Sequence, residues 1–173
     1  MICIIFIQCN SSDAYTIQKN QVGLVYATTQ VSELDKIFAN DSLVKPIYLE
    51  NQSKYRNEDY VVYSKAGNHL LTIKVENTTD STSTIQSVQV FSTIYKSKKE
   101  ISLNSFFKEL NENHEVDKIE PTITSASVFV KDLNASFFIT NKELNLPEFN
   151  MNKIEMDQVP DNAAFKYITV WFN

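Results

Sequence analysis

The first clear pattern along the chain is a helical one. Between residues 30 and 39 the apolar positions recur at helical spacing and form one stripe, at Val31, Leu34, Ile37 and Phe38. Thr28 or Thr29 stands before this stripe, where a hydroxyl can cap a helix by accepting a bond from an unpaired amide. The pattern therefore predicts a strand over Val22–Tyr26 that leads through Thr28 and Thr29 into a short helix.

A weaker copy of this pattern lies in the second half of the chain. Ile101–Leu103 is strand-like, and Asn104 or Ser105 then stands in the cap position. The apolar face of this second helix is expected at Phe106, Phe107 and Leu110. An offset of 76 residues aligns Thr29 with Ser105, Val31 with Phe107, Glu33 with Glu109, and Leu34 with Leu110. The agreement predicts two tandem strand-helix-strands halves, 21–95 and 96–173.

Strand-like alternation fills most of the remaining chain. Residues 59–64 and 70–75 flank Lys65–Asn68, a turn that carries Gly and Asn, so a β-hairpin is expected. Further strands are expected at Tyr15–Ile17, Leu43–Leu49, Ile85–Tyr95, Ser125–Val130, Ser136–Thr140 and Phe165–Phe172. Pro46 marks an edge strand, whereas the last strand has apolar residues on both sides and is expected to be central. These elements predict an α+β fold, a mainly antiparallel sheet with two short helices.

The bulk composition fits one globular domain and weighs against nucleic acid. The 173 residues can bury a real core, and eight Tyr and eleven Phe beside only two Gly favour β-structure. The net charge of −5 opposes nucleic-acid binding, which needs a basic face. Among the sixteen basic residues only Arg56 is an arginine, so the planar fork that grips phosphate is scarce. We therefore expect no nucleic-acid partner.

The N-terminal segment has the order of a processed lipid-anchored start. Residues 1–8 are strongly apolar but far short of the ~20 apolar residues that span a bilayer. Cys9 follows directly, and Asn10–Asp13 is a small, polar tether. This order predicts a signal-peptide remnant over 1–8, a lipidated Cys9 with a tether over 9–20, and a single α+β domain over 21–173. The alternative is an N-terminal strand with an ordinary buried Cys9.

Residue types that carry catalysis or hold metals are sparse. The two histidines, His69 and His114, are far apart in sequence, and no Gly-x-Ser-x-Gly elbow is present. A metal site needs clustered His, Cys or carboxylates at ligand spacing, and two Gly cannot make a phosphate-cradling loop. Two of the 21 acids could still meet in the fold as a carboxylate pair, but nothing selects a pair. We therefore predict no catalytic, metal or cofactor-binding residues.

Several segments resemble a family of uncharacterised bacterial envelope lipoproteins of the Bacteroidota type. The resemblance is carried by Gly23–Phe38, Leu70–Val75 and Ile154–Ala163, and by the lipobox-like order around Cys9, although Gln8 departs from the usual small residue. It implies that Cys9 carries the lipid, and it supplies no other functional residue. The doubled strand-helix-strands plan is also similar in outline to the tandem repeats of β-lactamase inhibitor protein, which concerns architecture alone.

These patterns predict a lipid-anchored cell-envelope protein with a periplasmic or surface-exposed domain and a non-enzymatic binding or structural role. Its expected partners are the membrane, through the lipid on Cys9, and a protein that the sequence does not identify. One alternative is a periplasmic protein-binding or inhibitor module, which exposed aromatics clustered on one sheet face would support. Another is a hydrolase with an unrecognised carboxylate pair, which a deep pocket holding two close acids would support.

Overall fold

The computed structural model describes residues 13–48, 55–57 and 59–172. Cys9 and the segment over 1–8 lie outside the described residues, as does the first part of the tether. The strands are β1 (Thr16–Gln18), β2 (Gln21–Val22), β3 (Val25–Tyr26), β4 (Ser42–Val44), β5 (Ile47–Tyr48), β6 (Tyr55–Asn57), β7 (Tyr60–Tyr63), β8 (His69–Val75), β9 (Ile85–Val90), β10 (Lys96–Ser97), β11 (Val116–Pro121), β12 (Ser125–Val130), β13 (Ala135–Thr140) and β14 (Tyr167–Trp171). The helices are α1 (Leu34–Ile37) and α2 (Phe107–Asn113), with 3₁₀ turns at Asp13–Tyr15, Val31–Glu33 and Met156–Gln158.

An antiparallel sheet of eight strands dominates the molecule, in the order β11-β12-β13-β14-β9-β8-β7-β4. A smaller sheet has the order β10-β1-β2-β3, in which β1 and β10 are parallel, and β5 pairs with β6. The predicted α+β class, a mainly antiparallel sheet with two short helices, is confirmed. The expected hairpin of β7 and β8 and the central position of β14 are also confirmed. The single edge strand expected over Leu43–Leu49 is instead broken at Lys45 and Pro46 into β4, at the edge of the large sheet, and β5, which pairs with β6.

The hydrophobic core lies on one face of the large sheet and extends to the helices. Its fully buried members come from both ends of the sheet and from both helices, among them Val62, Leu71, Ile73, Val88, Phe137, Ile139, Ile168, Leu34 and Leu110. Burying each such side chain contributes about 1.5–3 kcal/mol. Of the first predicted stripe, Leu34 and Phe38 are buried and Val31 and Ile37 are partly buried against the core. Of the second, Phe107 and Leu110 are buried whereas Phe106 is exposed.

The predicted threonine and serine caps are wrong. The helical segments begin after Gln30 and Phe106, and the carboxylates of Glu33 and Glu109 accept bonds from the backbone N–H groups of those residues, at 2.7 and 2.8 Å. The Thr29 hydroxyl instead accepts a bond from the Tyr26 N–H, so it closes the turn before the helix. In this arrangement the carboxylate of the third helical residue accepts a bond from the N–H of the residue just before the helix.

Several predicted strand bounds also differ from the structure. Val22–Tyr26 forms two short strands separated by a turn at Gly23, and Ile101–Leu103 is not a strand. The strand expected to reach Tyr95 ends at Val90. Strand β1 buries Ile17 in the core, so the folded body includes residues of the segment assigned to the tether. The tandem repeat of the two halves stays a prediction.

Candidate binding face of the sheet

The face of the large sheet opposite the core carries a set of aromatic side chains. Phe137 and Ile168 face each other on the core side. Because successive side chains in a strand point to opposite faces, their neighbours Phe138 and Tyr167 lie together on the other side. We call this second side the open face; its side chains are only partly buried at both of these positions.

A β-bulge places a histidine on the open face. Val62 pairs with Leu71, but the next residue, Tyr63, pairs with His69, so the register shifts by one at Leu70. Without that extra residue His69 would point to the core side, as Leu71 does. The His69 Nε2 lies 2.9 Å from the Thr72 hydroxyl and 3.2 Å from the Leu71 carbonyl oxygen. Because a carbonyl can only accept, the contact with Leu71 is a hydrogen bond in the tautomer that carries the proton on Nε2.

Five rings form a continuous row across the open face, four of them on the strands β7, β8, β14 and β13 and one, Phe91, directly after the end of β9. The row runs through Tyr63, His69, Phe91, Tyr167 and Phe138. Its ring centroids are 5.3, 4.1, 5.4 and 4.2 Å apart, and the second and fourth pairs are stacked. All five are half-buried. Each aromatic pair is worth about 0.5–1.5 kcal/mol beyond its buried area, so the row holds its rings in place before any ligand arrives.

Small hydroxyl side chains separate the aromatic row from two further aromatic residues, Trp171 and Phe129. Ser136 and Thr169 are buried between strands β13 and β14, and the Trp171 indole N–H donates to the Ser136 hydroxyl at 3.4 Å. Trp171 is 41% exposed. The Lys118 Nζ lies 4.8 Å from the centre of the Phe129 ring, a cation–π contact at the edge of the sheet.

Shallow hollows border the open face at two ends of its strands. Phe138 and Tyr167 line a hollow of about 150 Å³ together with Thr140 and Lys166. Phe129 and Trp171 line another of about 160 Å³. Burial raises the pKa of the Tyr167 phenol, so it stays a neutral donor at physiological pH. The face therefore offers ring surfaces, hydroxyl groups and lysines at its rim, which is the chemistry of a recognition surface.

The second histidine, His114, lies in a chain of three polar side chains, in which His114 and Ser97 are buried and Asp132 is exposed. The His114 Nδ1 lies 2.7 Å from an Asp132 carboxylate oxygen, and its Nε2 lies 2.9 Å from the Ser97 hydroxyl. The carboxylate holds a proton on Nδ1, and Nε2 shares a hydrogen bond with the Ser97 hydroxyl. Spacing alone could not reveal the set, because 17 and 18 residues separate the partners.

These three residues have the connectivity of a hydrolytic triad, but their surroundings are those of a structural bond chain. The His114 side chain is 2% exposed and Ser97 is 3% exposed. The Ser97 hydroxyl also accepts bonds from the N–H groups of Lys99 and Ile101. A nucleophile must be reached by its substrate and needs a free lone pair for attack. The chain thus ties β10 and its turn to the end of α2 and to the β12–β13 turn.

Two acids line a hollow with a volume of about 330 Å³. Asp59 is half-buried there, whereas Glu76 and Lys74 are exposed on its wall. A catalytic acid at neutral pH needs burial or a close like charge to hold its proton. The exposed Glu76 has no such burial, so the hydrolase alternative gains little from this hollow.

Within the described ranges no cluster of three or more His, Cys, Asp or Glu could hold a metal ion. Among the same residues no helix is long and apolar enough to cross a membrane. Cys9, the predicted lipid site, is not among the residues that the structure describes. The open face was not foreseen at the level of residues, because it depends on strand register and on the bulge at Leu70.

The fold and the open face define an α+β protein with an aromatic-lined, partly exposed side of a large antiparallel sheet. No family model matches the chain, and no curated protein matches its sequence significantly. Its fold is similar to that of the uncharacterised protein yfeY from Escherichia coli, with a TM-score of 0.57 and 13% sequence identity. The match covers 91% of this chain and 99% of that chain. At this identity the likeness concerns the fold alone.

Proposed function

We propose that the chain is a non-enzymatic binding module, anchored by a lipid on Cys9 in the bacterial cell envelope, whose open face binds another protein. The observation that carries the proposal is the row of five rings on that face. An inhibitor of an envelope enzyme is one form that such a module can take. The order of residues around Cys9 supports the anchor.

The dimensions of the row favour a macromolecular partner. Neighbouring strands are about 4.8 Å apart, so a row across five strands is roughly 20 Å wide. A protein interface of standard size buries about 800 Å² on each partner, which is a patch of comparable width. The hollows at its ends, of about 150 and 160 Å³, are small by the standard of ligand pockets, which hold roughly 300–1,000 Å³.

The energetics of the row also favour binding. Aromatic side chains are enriched among the residues that dominate protein interfaces. The stacked pairs Phe138–Tyr167 and His69–Phe91 already fix their rings, so little side-chain entropy remains to be lost.

Capture of partners with the acylated protein tests the proposal. Wild type, Phe91→Ala and a matched control, Phe149→Ala, would each be used as bait in envelope extracts. Phe149 is a large exposed side chain outside the row. The expected result is a protein captured by wild type and by the control variant but lost with Phe91→Ala. A partner retained equally by Phe91→Ala would contradict the assignment of the open face.

Two further readouts address the other parts of the proposal. Mass spectrometry of the membrane fraction is expected to show a diacylglyceryl group on residue 9, and an unmodified Cys9 would contradict the anchor. A broad screen with envelope substrates is expected to show no turnover. Hydrolysis that survives purification and is lost with Ser97→Ala would contradict the non-enzymatic role.

A further inference from the structure

Three large side chains are exposed near the point where the described chain begins. Tyr15, Leu24 and Tyr26 are 49, 46 and 42% exposed. Tyr15 and Leu24 lie on the rim of one hollow of about 170 Å³, which Ile37 and Tyr95 also line. Tyr26 follows Leu24 by two positions in the same β2–β3 hairpin. We call these three residues the N-terminal patch.

The patch is held rigidly, so its exposure is built into the fold. The Gly23 N–H donates to the Thr16 carbonyl at 2.8 Å, and the Gln21 side-chain amide donates to the Gly23 carbonyl at 2.8 Å. The Tyr15 ring meets the Tyr95 ring edge-on, with centroids 5.5 Å apart. Burial, with Asp41 and Tyr15 nearby, raises the pKa of Tyr95, which fits its place at the base of the hollow.

The covalent chain sets a short limit between Cys9 and this patch. Asp13 follows Cys9 by four positions, and an extended chain spans at most about 3.5 Å per residue, or roughly 14 Å here. A lipid on Cys9 therefore keeps Asp13 within that distance of the bilayer surface. The 3₁₀ turn Asp13–Tyr15 and the β1–β2 hairpin follow immediately.

We infer that the N-terminal patch rests on the phospholipid bilayer, with the tyrosines at headgroup level and Leu24 in the acyl boundary. This inference rests on the proposed lipid anchor. Tyrosine favours the membrane–water interface because its ring is apolar and its hydroxyl polar. The exposed Lys19 in the β1–β2 turn favours anionic headgroups, and the half-buried Asp41 lies in the hollow behind the rim.

The size of the patch favours a bilayer over a protein on this side of the molecule. Three side chains fall far short of the roughly 800 Å² that each partner buries in a stable protein interface. A tethered contact needs little intrinsic affinity, because the acyl chains already hold the surface at high effective concentration. The patch then orients the domain on the membrane and leaves the open face to a partner.

Hydroxyl-radical footprinting of the full-length protein tests the inference. The acylated protein, purified from membranes, would be reconstituted in vesicles of phosphatidylcholine and phosphatidylglycerol, beside the unacylated Cys9→Ser protein with the same vesicles. The expected result is a several-fold fall in oxidation at Tyr15, Leu24 and Tyr26 in the acylated protein alone. Phe149 and Met151, 68 and 67% exposed, are expected to keep their oxidation rates and serve as internal controls.

Mass spectrometry of the same samples separates the outcomes. Acylated Cys9 with unchanged oxidation of the patch overturns the inference and leaves the lipid anchor standing. An equal fall at Phe149 and Met151 also overturns it, because the protection would not be specific to the patch. An unmodified Cys9 overturns the anchor and the inference together.

Discussion

At the scale of single residues, His114 shows how the fold uses a polar group that it buries. Both ring nitrogens are bonded, one to Asp132 and one to Ser97, and the Lys99 ammonium donates to the Asn113 carbonyl beside it. Burial raises the pKa of Asp132, but the bond and charge of His114, the Glu115 N–H and Lys99 together outweigh it, so the pKa lies below its usual range. Asp132 therefore stabilises the fold in its ionised form.

Removing that carboxylate should be costly. Asp132→Ala leaves the buried His114 N–H without its partner, and the free energy of unfolding at pH 7 should fall by about 1–3 kcal/mol. Glu120→Ala is the matched control, because Glu120 pairs with Lys118 on an exposed edge and should change stability by at most about 0.5 kcal/mol. Urea titrations measure both. Equal effects would contradict the stabilising role of the hydrogen bonds that join Asp132, His114 and Ser97.

The same carboxylate predicts a dependence on pH. A depressed pKa in the folded state means that the unfolded state binds more protons in the acid range. The contribution of Asp132 to the free energy of unfolding is thus fully present above the ordinary pKa of an aspartate. It is lost as the pH falls through the lower pKa that Asp132 has in the folded state. The stability difference between wild type and Asp132→Asn should therefore shrink as pH falls through that range, in urea titrations at a series of pH values.

Gly23 is required both for its left-handed backbone and for a close backbone contact. Comparison with Gly67 separates the two effects. Both Gly23 and Gly67 have positive φ, +56° and +82°. A Cβ at Gly23 would lie 2.5 Å from the Ala14 carbonyl oxygen, whereas nothing lies within 4 Å at Gly67. Gly67→Ala should cost about 1–2 kcal/mol for the left-handed backbone alone. Gly23→Ala should cost clearly more in thermal unfolding; equal costs would show that the close approach is absent.

At the scale of elements, the two helix starts are built alike. Glu33 and Glu109 each accept a bond from the backbone N–H three residues earlier. Glu33→Ala and Glu109→Ala should each lower the free energy of unfolding by about 0.5–2 kcal/mol, as lost caps do. Glu112→Ala, exposed within α2, is the control and should change it by at most about 0.5 kcal/mol. Unequal losses in chemical denaturation would contradict the equivalence of the two starts.

The helices and hairpins could be predicted because their signals are local. The spacing of Leu34 and Phe38 and the turn at Lys65–Asn68 lie within short windows. Strand β11 was missed, since Val116–Pro121 mixes charges with a terminal proline and gains its place only by pairing with β12. The aromatic row could not be predicted, because its rings lie on or next to separate strands and one of them, His69, depends on the bulge at Leu70.

At the scale of the whole molecule, the sheet joins four strands from each half of the chain through the β9–β14 pair. Equivalent long-range bonds follow both helix starts: the Val31 N–H donates to the Ser83 carbonyl, and the Phe107 N–H donates to the Ala163 carbonyl. These contacts support the hypothesis of an internal repeat, which stays a prediction.

One core shared by both halves should unfold cooperatively. Val88 of β9 pairs with Val170 of β14, and both are fully buried. Trp171, the single tryptophan, follows in the central strand β14. Its fluorescence and the far-UV circular dichroism should therefore change in one coincident transition in denaturant. Two separate transitions would mean that the halves are independent units.

The central claim is that the open face binds a protein, and its most direct test is a dissociation constant. The captured partner would be titrated against wild type, Phe91→Ala and Phe149→Ala, each with its melting temperature checked. Loss of a ring at the centre of the row should cost about 2 kcal/mol or more, roughly a thirtyfold weaker Kd, as at interface hot spots. Phe149→Ala should bind as wild type does. Unchanged affinity in a folded Phe91→Ala protein would contradict the claim.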